Sequence, residues 1–178
     1  MEETLIRPPR TIMEVFKMLP ETTLAEVIDN QLYMSPSPVG RHQRIILNLA
    51  SSLSYFVNEQ QLGEVFISPF DVFLDEISNA VQPDILFIAN DNLNIVSDDG
   101  VVHGTPDLII EVLSPGNPEH DTVIKKALYE RYKVKEYWII DPKSKKATGY
   151  TLSVNRYILI SEQIGSINSA LFKKSFSF

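Results

Sequence analysis

One apolar stretch of the sequence constrains the fold more than any other, and it contains two carboxylates, those of Asp107 and Glu111. The segment Leu108 to Leu113 is rich in Ile, Val and Leu and is followed by Ser114-Pro115-Gly116, which predicts a strand covered on both faces. Side-chain alternation places Asp107 and Glu111 on one face of it. A buried ionised carboxylate is costly unless it is paired, hydrogen-bonded or bound to a metal. Glu111 is therefore a candidate site residue, and the alternative is a structural Glu held by an Arg or Lys of the following helix.

The length and the absence of long apolar runs limit the class of protein. A chain of 178 residues fits one domain with a substantial core. We expect a single domain over residues 1–178, with a covering segment at 1–23 and a core at 24–164. No apolar run approaches the ~20 residues of a membrane helix, and the first residues contain acids where a secretory signal is basic. These features predict a cytoplasmic protein without membrane contact.

Composition excludes several kinds of site. The chain has no cysteine and three histidines, which excludes disulfides and cysteine-ligated zinc and leaves oxygen-ligated Mg²⁺ or Mn²⁺ possible. The net charge of −7 disfavours broad nucleic-acid binding. Residues 1–100 contain 15 acids and 5 bases, whereas residues 101–178 contain 8 acids and 11 bases. A surface that faces a polyanion is therefore expected in the C-terminal part.

Helical and strand patterns alternate along the chain. Leu24 to Met34 predicts a hairpin that turns at Asp29-Asn30, and Val39 to Gln61 predicts a long amphipathic helix. The segments on either side of Pro69 are expected to form a bent or bulged pair of strands. A helix is predicted from about His120 to Tyr132, and further strands over residues 64–68, 70–74, 80–89, 136–140, 147–152 and 157–164. The pattern predicts an α/β fold with a mixed central sheet flanked by helices.

Distances along strands restrict which carboxylates can share an ion. Asp107 and Glu111 are four residues apart, so about 13 Å separates them at ~3.3 Å per residue. Two ligands of one Mg²⁺ lie within about 4 Å of each other, which excludes this pair. Asp84 lies on another apolar strand, directly behind Pro83. If the two strands are neighbours, Asp84 and Glu111 can bind one metal ion.

A cation near these carboxylates would complete a site for phosphate chemistry, because it stabilises charge that develops on the phosphorus oxygens. The helix after Asp121 offers Lys125 and Lys126. At ~100° per residue, Lys125 lies beside the apolar stripe of this helix and Lys126 faces water. The alternative for Lys125 is a surface lysine whose stem packs on the protein while its ammonium reaches solvent.

Four segments taken together resemble a known family. Taken in chain order, the segments LAEVIDNQLYMSPSPVGRHQ, VQPDILFI, GTPDLIIEVLSP and HDTVIKKALYERYKVKEYWIIDP are similar to the Uma-type restriction endonuclease family of the PD-(D/E)xK nuclease superfamily. The resemblance runs from about Leu24 to Ile164. It implies a restriction-endonuclease-like core and Mg²⁺-dependent cleavage of DNA phosphodiester bonds.

The resemblance also implies roles for single residues. Asp84 matches the Asp of the PD element, and Glu111 matches the acidic position that follows. Leu113 stands where the superfamily has its lysine, and Lys125 matches a lysine displaced to the next helix, four residues after Asp121.

Two further positions match residues that the family tends to keep. The resemblance implies that Glu26 is an accessory acid and that His42 contacts phosphate or water. The alternatives are a surface charge on the hairpin for Glu26 and a helix-capping histidine for His42.

Two functions from different classes remain open at this point. One is a metal-dependent nuclease in which Asp84 and Glu111 hold Mg²⁺ and Lys125 polarises the phosphate or water. The other is a nuclease-derived domain without turnover that binds nucleic acid or a protein partner; the acidic first half and the missing local lysine favour it. Related nucleases often pair to cut both strands, so we also expect a homodimer, with three aromatic residues near its interface: Tyr150, Tyr157 and Phe176.

Overall fold

The structure is a computed structural model that describes residues 7–98, 100–114 and 119–178. Pro115 and Gly116, which were predicted to end the central strand, lie outside the described residues. The α-helices in the described part are α1 (Ile12–Lys17), α2 (Gly40–Glu59) and α3 (Lys126–Arg131). A 3₁₀ helix covers Asn90–Ile95, and a π-helical turn, His120–Lys125, leads directly into α3.

The strands are short and are distributed along the whole chain. In chain order the described residues contain β1 (Ala25–Ile28), β2 (Gln31–Met34), β3 (Gly63–Ile67), β4 (Val72–Phe73), β5 (Ala80–Val81), β6 (Ile85–Ala89), β7 (Val102–His103), β8 (Leu108–Val112), β9 (Glu136–Ile140), β10 (Lys146–Ser153), β11 (Arg156–Ile164), β12 (Ser166–Ser169) and β13 (Lys174–Ser177).

A mixed six-stranded sheet forms the centre of the molecule, in the order β11-β10-β9-β8-β6-β3. β8 runs parallel to β9 and antiparallel to β6. All five residues of β8 are buried, because both faces of this strand are covered. The prediction of an α/β fold with a mixed central sheet flanked by helices is confirmed.

Each face of the central sheet is covered by different elements. On one face, α2 packs its apolar stripe together with the β12-β13 hairpin, and the stripe consists of Ile45, Ile46, Leu49, Leu53 and Val57. On the other face lie α3 and a five-stranded sheet in the order β2-β1-β5-β4-β7. Asp107 and Glu111 share their strand parity with Ile109, which belongs to this second core. The carboxylates therefore point toward the layer that contains α3 and the hairpin β1-β2.

The hairpin and the N-terminal segment follow local sequence signals. Asp29 and Asn30 adopt positive φ angles of 48° and 61°, which a tight two-residue turn between β1 and β2 requires. Thr11 accepts a hydrogen bond from the backbone N–H of Glu14 and so caps α1. Met13 and Phe16 of α1 are buried against the five-stranded sheet. Within the described ranges, no helix is both long and apolar enough to cross a membrane.

One predicted strand is two strands in two sheets. The prediction of a continuous strand over residues 80–89 is wrong, because β5 pairs with β1 and β4 while β6 pairs with β3 and β8. Gln82, Pro83 and Asp84 connect them. Proline has no N–H to donate to a strand ladder, so the ladder is interrupted here. As a result, Asp84 lies where the chain passes from one sheet to the other, immediately before β6.

Two other expectations also fail. The segments on either side of Pro69 do not pair with each other, because β3 joins the six-stranded sheet and β4 the five-stranded sheet. Phe176 does not lie at a surface available to a second subunit. It is 3% exposed and packs in the core against Phe56 and Phe172. The hairpin β12-β13, which carries Phe176, was not predicted at all.

Candidate active site

The two carboxylates predicted to share a metal lie on neighbouring strands. β6 pairs with β8 in a register that sets Ile85 opposite Ile110, so Asp84 lies beside Glu111. The backbone N–H of Asp84 points at Glu111 Oε2, 3.4 Å away, and Asp84 Oδ2 accepts the backbone N–H of Val112 at 2.7 Å. The strand adjacency assumed from the sequence is present in the structure.

Lys125 lies in the π-helical turn and points inward. Its side chain is 6% exposed, and its Nζ lies 2.9 Å from both Glu26 Oε1 and Glu111 Oε1. A third carboxylate, Asp121, is 3.6 Å away. The alternative of a surface lysine is therefore wrong, and the predicted inward orientation is correct. The widened π turn was not predicted; such turns are rare and are often found at functional sites.

Lys126 was predicted to face water, but its side chain is half-buried. Its Nζ lies 3.8 Å from the centre of the Tyr150 ring. This cation–π contact keeps the ammonium on the outside of the carboxylate cluster. Lys126 is therefore still a suitable control for Lys125, because its side chain makes none of the ion pairs of that cluster.

Glu26 reaches the same cluster from β1. It is 3% exposed, and its Oε1 accepts the backbone N–H of Gln82 at 2.8 Å in addition to the contact with Lys125. Its Oε2 lies 3.2 Å from His120 Nε2. The alternative of a surface charge on the hairpin is wrong, because the second sheet places this face of β1 against the central sheet.

His42 contacts Asp84 rather than the end of its own helix. Its Nε2 lies 3.1 Å from Asp84 Oδ2, and its ring is 4% exposed. No side chain caps the N-terminus of α2, so the helix-capping alternative is wrong. With the N–H of Val112 and the His42 ring both directed at Oδ2, the second oxygen of Asp84, Oδ1, has no partner within the described residues. His42 therefore fixes which oxygen of Asp84 is available to another ligand.

Of the two remaining acids named from the sequence, only one joins the cluster. Asp121 lies beside Lys125 and is 8% exposed. Asp107 lies at the other end of β8, where it pairs with Lys135 and accepts hydrogen bonds from the backbone of Ala89 and the amide of Asn92. The structure thus brings together Glu26, His42, Asp84, Glu111, Asp121 and Lys125, and it excludes Asp107.

Three residues that the sequence analysis missed complete the cluster. The Tyr129 hydroxyl donates to Glu111 Oε1 at 2.8 Å, and Gln82 binds Glu26 through its backbone N–H. The His120 ring lies against the Tyr33 ring at an angle of 51°, with 4.7 Å between ring centres, and it also contacts Glu26. Tyr129 follows Lys125 by four residues, and this spacing was a usable signal because it puts both on one helical face. Nothing local in the sequence links Gln82 or His120 to Glu26.

The cluster contains more negative than positive charge. The cluster contains four carboxylates, those of Glu26, Asp84, Glu111 and Asp121, and one ammonium, that of Lys125, which contacts all of them but Asp84. Burial raises the pKa of Glu111 well above its usual range, and the charges of Asp84, Asp121 and Glu26 raise it further against the pull of Lys125. Burial also raises the pKa of Asp121. The site is therefore short of positive charge.

The charges of the cluster also shift the pKa values of Lys125 and Glu26. Burial acts to lower the pKa of Lys125, but the carboxylates of Glu111, Glu26 and Asp121 outweigh it and raise this pKa well above the usual value. Burial would also raise the pKa of Glu26, but Lys125 and His120 overcome it and lower that pKa. Lys125 is thus an ammonium at physiological pH, and an ammonium has no lone pair with which to act as a base.

The donor set fits a small divalent cation. Asp84 Oδ1 is open, and Glu111 Oε2 has only the long contact with the Asp84 N–H, whereas Glu111 Oε1 is occupied by Lys125 and Tyr129. Among the described residues, no three His, Asp or Glu side chains form a metal cage by themselves. Mg²⁺ typically binds through one or two carboxylates and completes its shell with water and substrate phosphate. Two open carboxylate oxygens, in a site with more negative than positive charge, match this requirement.

A cavity of about 210 Å³ that opens to solvent is lined by the charged residues of the cluster, namely Glu26, His42, Asp84, Glu111, Asp121 and Lys125. Its walls come from the β1-β2 hairpin and the loop after it, the start of α2, the crossing between β5 and β6, the end of β8, and the π turn. Ligand sites are typically concave, with a few convergent polar groups of perturbed pKa. The cavity meets both criteria.

Comparison with known proteins gives two matches. A family model described as "Uma2: Putative restriction endonuclease" matches residues 13–171. Among solved structures, the chain is similar to a "putative nuclease belonging to DUF820" from Anabaena variabilis, with a TM-score of 0.72 and 19% sequence identity over 93% of this chain and 92% of that chain. The structural likeness shows a restriction-endonuclease-like fold. No functionally curated protein matches the chain.

Proposed function

Because the chain belongs to the Uma2 family, whose description is putative restriction endonuclease, we propose that it is a metal-dependent endonuclease that hydrolyses phosphodiester bonds of DNA. The observation that carries the proposal is the convergence of Asp84, Glu111 and Lys125 in one cavity, from three separate segments of the chain. Two neighbouring carboxylates and a permanent cation are the groups that metal-assisted phosphate hydrolysis needs.

Asp84 and Glu111 are the residues that would hold Mg²⁺ or Mn²⁺, each through the oxygen that its other contacts leave open. When bound, the ion supplies positive charge that stabilises the phosphate oxygens as negative charge develops on them. His42 and the Val112 N–H keep Asp84 in one orientation, and Tyr129 does the same for Glu111. These contacts hold the carboxylates in place before any ligand arrives, which is the basis of electrostatic preorganisation.

Lys125 supplies a second, permanent positive charge at the site. An ammonium has three N–H donors, and three carboxylates lie around it. The contact with Asp121 is the longest at 3.6 Å, so it is the one that a phosphate oxygen can replace with the smallest loss. We propose that Lys125 turns one donor toward the phosphate in the transition state while Glu26 and Glu111 hold the other two.

One observation favours the second candidate, a nuclease-fold domain that binds nucleic acid or a protein partner without turnover. Lys125 is surrounded by acids, and Leu113 stands where the superfamily places its catalytic lysine. In such a domain, Lys125 would only neutralise the buried carboxylates. The two candidates differ in one property, which is cleavage in the presence of a divalent metal.

A metal-titrated cleavage assay on plasmid and on single-stranded DNA tests the proposal. We expect cleavage with Mg²⁺ or Mn²⁺ and none in EDTA, and we expect calorimetry to show weaker metal binding by Glu111→Gln than by the wild-type protein. Equal metal affinity of the two proteins would remove the Asp84–Glu111 site. Absence of cleavage with either metal would leave the binding domain as the function.

We also propose that the chain acts as a single nuclease domain that forms a homodimer, because two active sites can cut both strands of a duplex and C₂ is the commonest symmetry. With Phe176 in the core, the remaining exposed apolar residues of the C-terminal part are the better candidates for an interface, namely Val154, Ile158, Leu159 and Ile164. Light scattering that gives the mass of a monomer at tens of micromolar would rule out the dimer.

A further inference from the structure

One long segment of the acidic half of the chain contains no acid. Residues 1–100 include 15 acids, yet none lies between Asp29 and Glu59. The segment carries two bases, Arg41 and Arg44. It forms strand β2, the loop that borders the cavity, and nearly all of α2. This segment therefore adds no negative charge of its own to the surface that it forms, and it adjoins the candidate active site.

Arg41 and Arg44 differ from Arg7 and Lys17, two other bases of this half. Arg7 pairs with Glu14, and Lys17 pairs with Glu76. Both α2 arginines are exposed, and neither makes an ion pair within the described residues. Their guanidinium groups are free to bind an external anion.

The exposed face of α2 continues this surface away from the cavity. Gln43 lines the cavity, and Arg44, Asn48, Ser51 and Tyr55 are all exposed at spacings of three to four residues, so they form one stripe. The stripe ends at a groove between α2 and β13, where Lys174 lies over the ring of Phe56 and where Glu59, the first acid after Asp29, also lines the groove. From residue 41 to residue 55 the helix rises about 21 Å at 1.5 Å per residue, which is the length of about six base pairs at 3.4 Å each.

We propose that this face of α2 binds the phosphate backbone of duplex DNA beside the phosphate that enters the cavity. We call it the α2 face and define it by Arg41, Arg44, Asn48, Ser51, Tyr55 and Lys174. The inference rests on the proposed endonuclease function and adds to it the surface that holds the substrate. Charge complementarity selects the partner, because a cavity with four carboxylates repels a polyanion and needs a cationic, acid-free border to retain one.

A second basic surface competes with this one. The turn between β9 and β10 carries two exposed lysines, Lys143 and Lys145, which agree with the sequence-based expectation of a C-terminal polyanion-binding surface. These lysines do not line the cavity, whereas α2 does so through His42 and Gln43. The two arginines of α2 and the two lysines of this turn carry the same charge, so their double substitutions form a matched pair for an experiment.

The experiment measures the salt dependence of DNA binding. A fluorescein-labelled duplex is titrated in EDTA, which prevents cleavage, between about 50 and 200 mM salt. Each lost phosphate contact lowers the slope of log K against log salt by about 0.9, so Arg41→Ala/Arg44→Ala should lower it by about 2. Lys143→Ala/Lys145→Ala should leave the slope near that of the wild-type protein, and both variants should bind Mg²⁺ as the wild-type protein does.

The outcomes separate this inference from the proposed function. An unchanged slope in the arginine variant, a loss confined to the lysine variant, or no DNA binding by the wild-type protein would each overturn the α2 face. If the arginine variant lowers the slope but the wild-type protein never cleaves with Mg²⁺ or Mn²⁺, the surface stands and the nuclease activity fails. If the protein cleaves and the slope is unchanged, the activity stands and the surface is wrong.

Discussion

Asp107 and Glu111 lie at the two ends of one strand and on the same face of it. Both are buried, at 2% and 3% exposure, but their carboxylates have very different partners. Asp107 accepts hydrogen bonds from a backbone N–H and an amide and pairs with Lys135, whose side chain is 59% exposed. Glu111 shares one buried ammonium with other acids. Burial by itself acts to raise the pKa of both, but the partners of Asp107 lower its pKa, whereas that of Glu111 is raised well above its usual range.

The comparison shows what distinguishes a structural carboxylate from a candidate ligand. A carboxylate with enough donors stabilises the fold, because its partners replace the water that it loses. A carboxylate in a cluster with too little positive charge destabilises the fold and gains from an added cation. Proteins tolerate such destabilised groups mainly at functional sites, where activity requires them.

The largest effect is expected at Lys125, because this residue is the buried cation of the Glu111 cluster. Lys125→Ala leaves several carboxylates buried without their cation and should lower the free energy of unfolding by about 3–5 kcal/mol. It should also lower the cleavage rate by roughly a hundredfold or more. Urea unfolding and the plasmid assay measure the two effects, and Lys125→Arg, which keeps the charge, should recover most of the stability.

Lys126→Ala is the matched control on the same turn of the chain. It removes only the cation–π contact with Tyr150, which contributes about 0.5–1 kcal/mol at a partly exposed site. Its cleavage rate should equal that of the wild-type protein. Similar unfolding curves for the two alanine variants would show that the ion pairs of Lys125 contribute little.

A pair of isosteric substitutions tests the comparison directly. Asp107→Asn weakens charge-assisted hydrogen bonds and should cost about 1–3 kcal/mol of stability without changing metal affinity or cleavage. Glu111→Gln removes one charge from the crowded cluster and should leave stability equal or higher at neutral pH, while metal affinity and cleavage fall. If Glu111→Gln is destabilised as much as Asp107→Asn, the two carboxylates have the same structural role.

The pH dependence sharpens this test at Asp107. Its folded-state pKa is lowered from the ordinary 3.8, so its contribution to stability is present above about pH 3.8 and is lost as pH falls through the folded-state pKa. The stability difference between wild type and Asp107→Asn should therefore be constant near neutral pH and shrink in acid. A difference that grows on acidification would contradict the assignment of Lys135 and the backbone N–H as its stabilising partners.

The smallest effect is expected at the tyrosine hydroxyls. Tyr129→Phe removes the hydrogen bond to Glu111, and Tyr132→Phe removes a hydrogen bond to Asp75, which lies outside the cluster. Each should lower stability by about 1 kcal/mol. Only Tyr129→Phe should weaken Mg²⁺ binding, by about tenfold, because its hydroxyl fixes the oxygen of Glu111 that faces away from the metal. Equal metal affinities in calorimetry would remove Tyr129 from the site.

Much of this architecture was determined by local sequence. The hairpin at Asp29-Asn30, the helix of residues 40–59, the strands around residues 108–112 and 136–140, and the inward side of Lys125 were all predicted correctly. Alternation of period two and stripes of period 3.6 encode which face is buried, and turn residues encode where an element ends. These signals act over a few residues, so they can be read without knowing the fold.

The tertiary structure decided which residues meet. It divided residues 80–89 between two sheets and separated Asp107 from the other acids. It also buried Glu26 and His42, for which the sequence left a surface charge and a helix cap as alternatives. It also brought Tyr129, Gln82 and His120 to the cluster. Contacts such as that of Glu26 with Lys125 join residues about a hundred positions apart, and they depend on the order of strands and on the packing of one sheet against another. The sequence pattern around each of the two residues shows only which side of its own helix or strand is buried. It does not show which distant residue lies opposite, so these contacts cannot be predicted from local sequence.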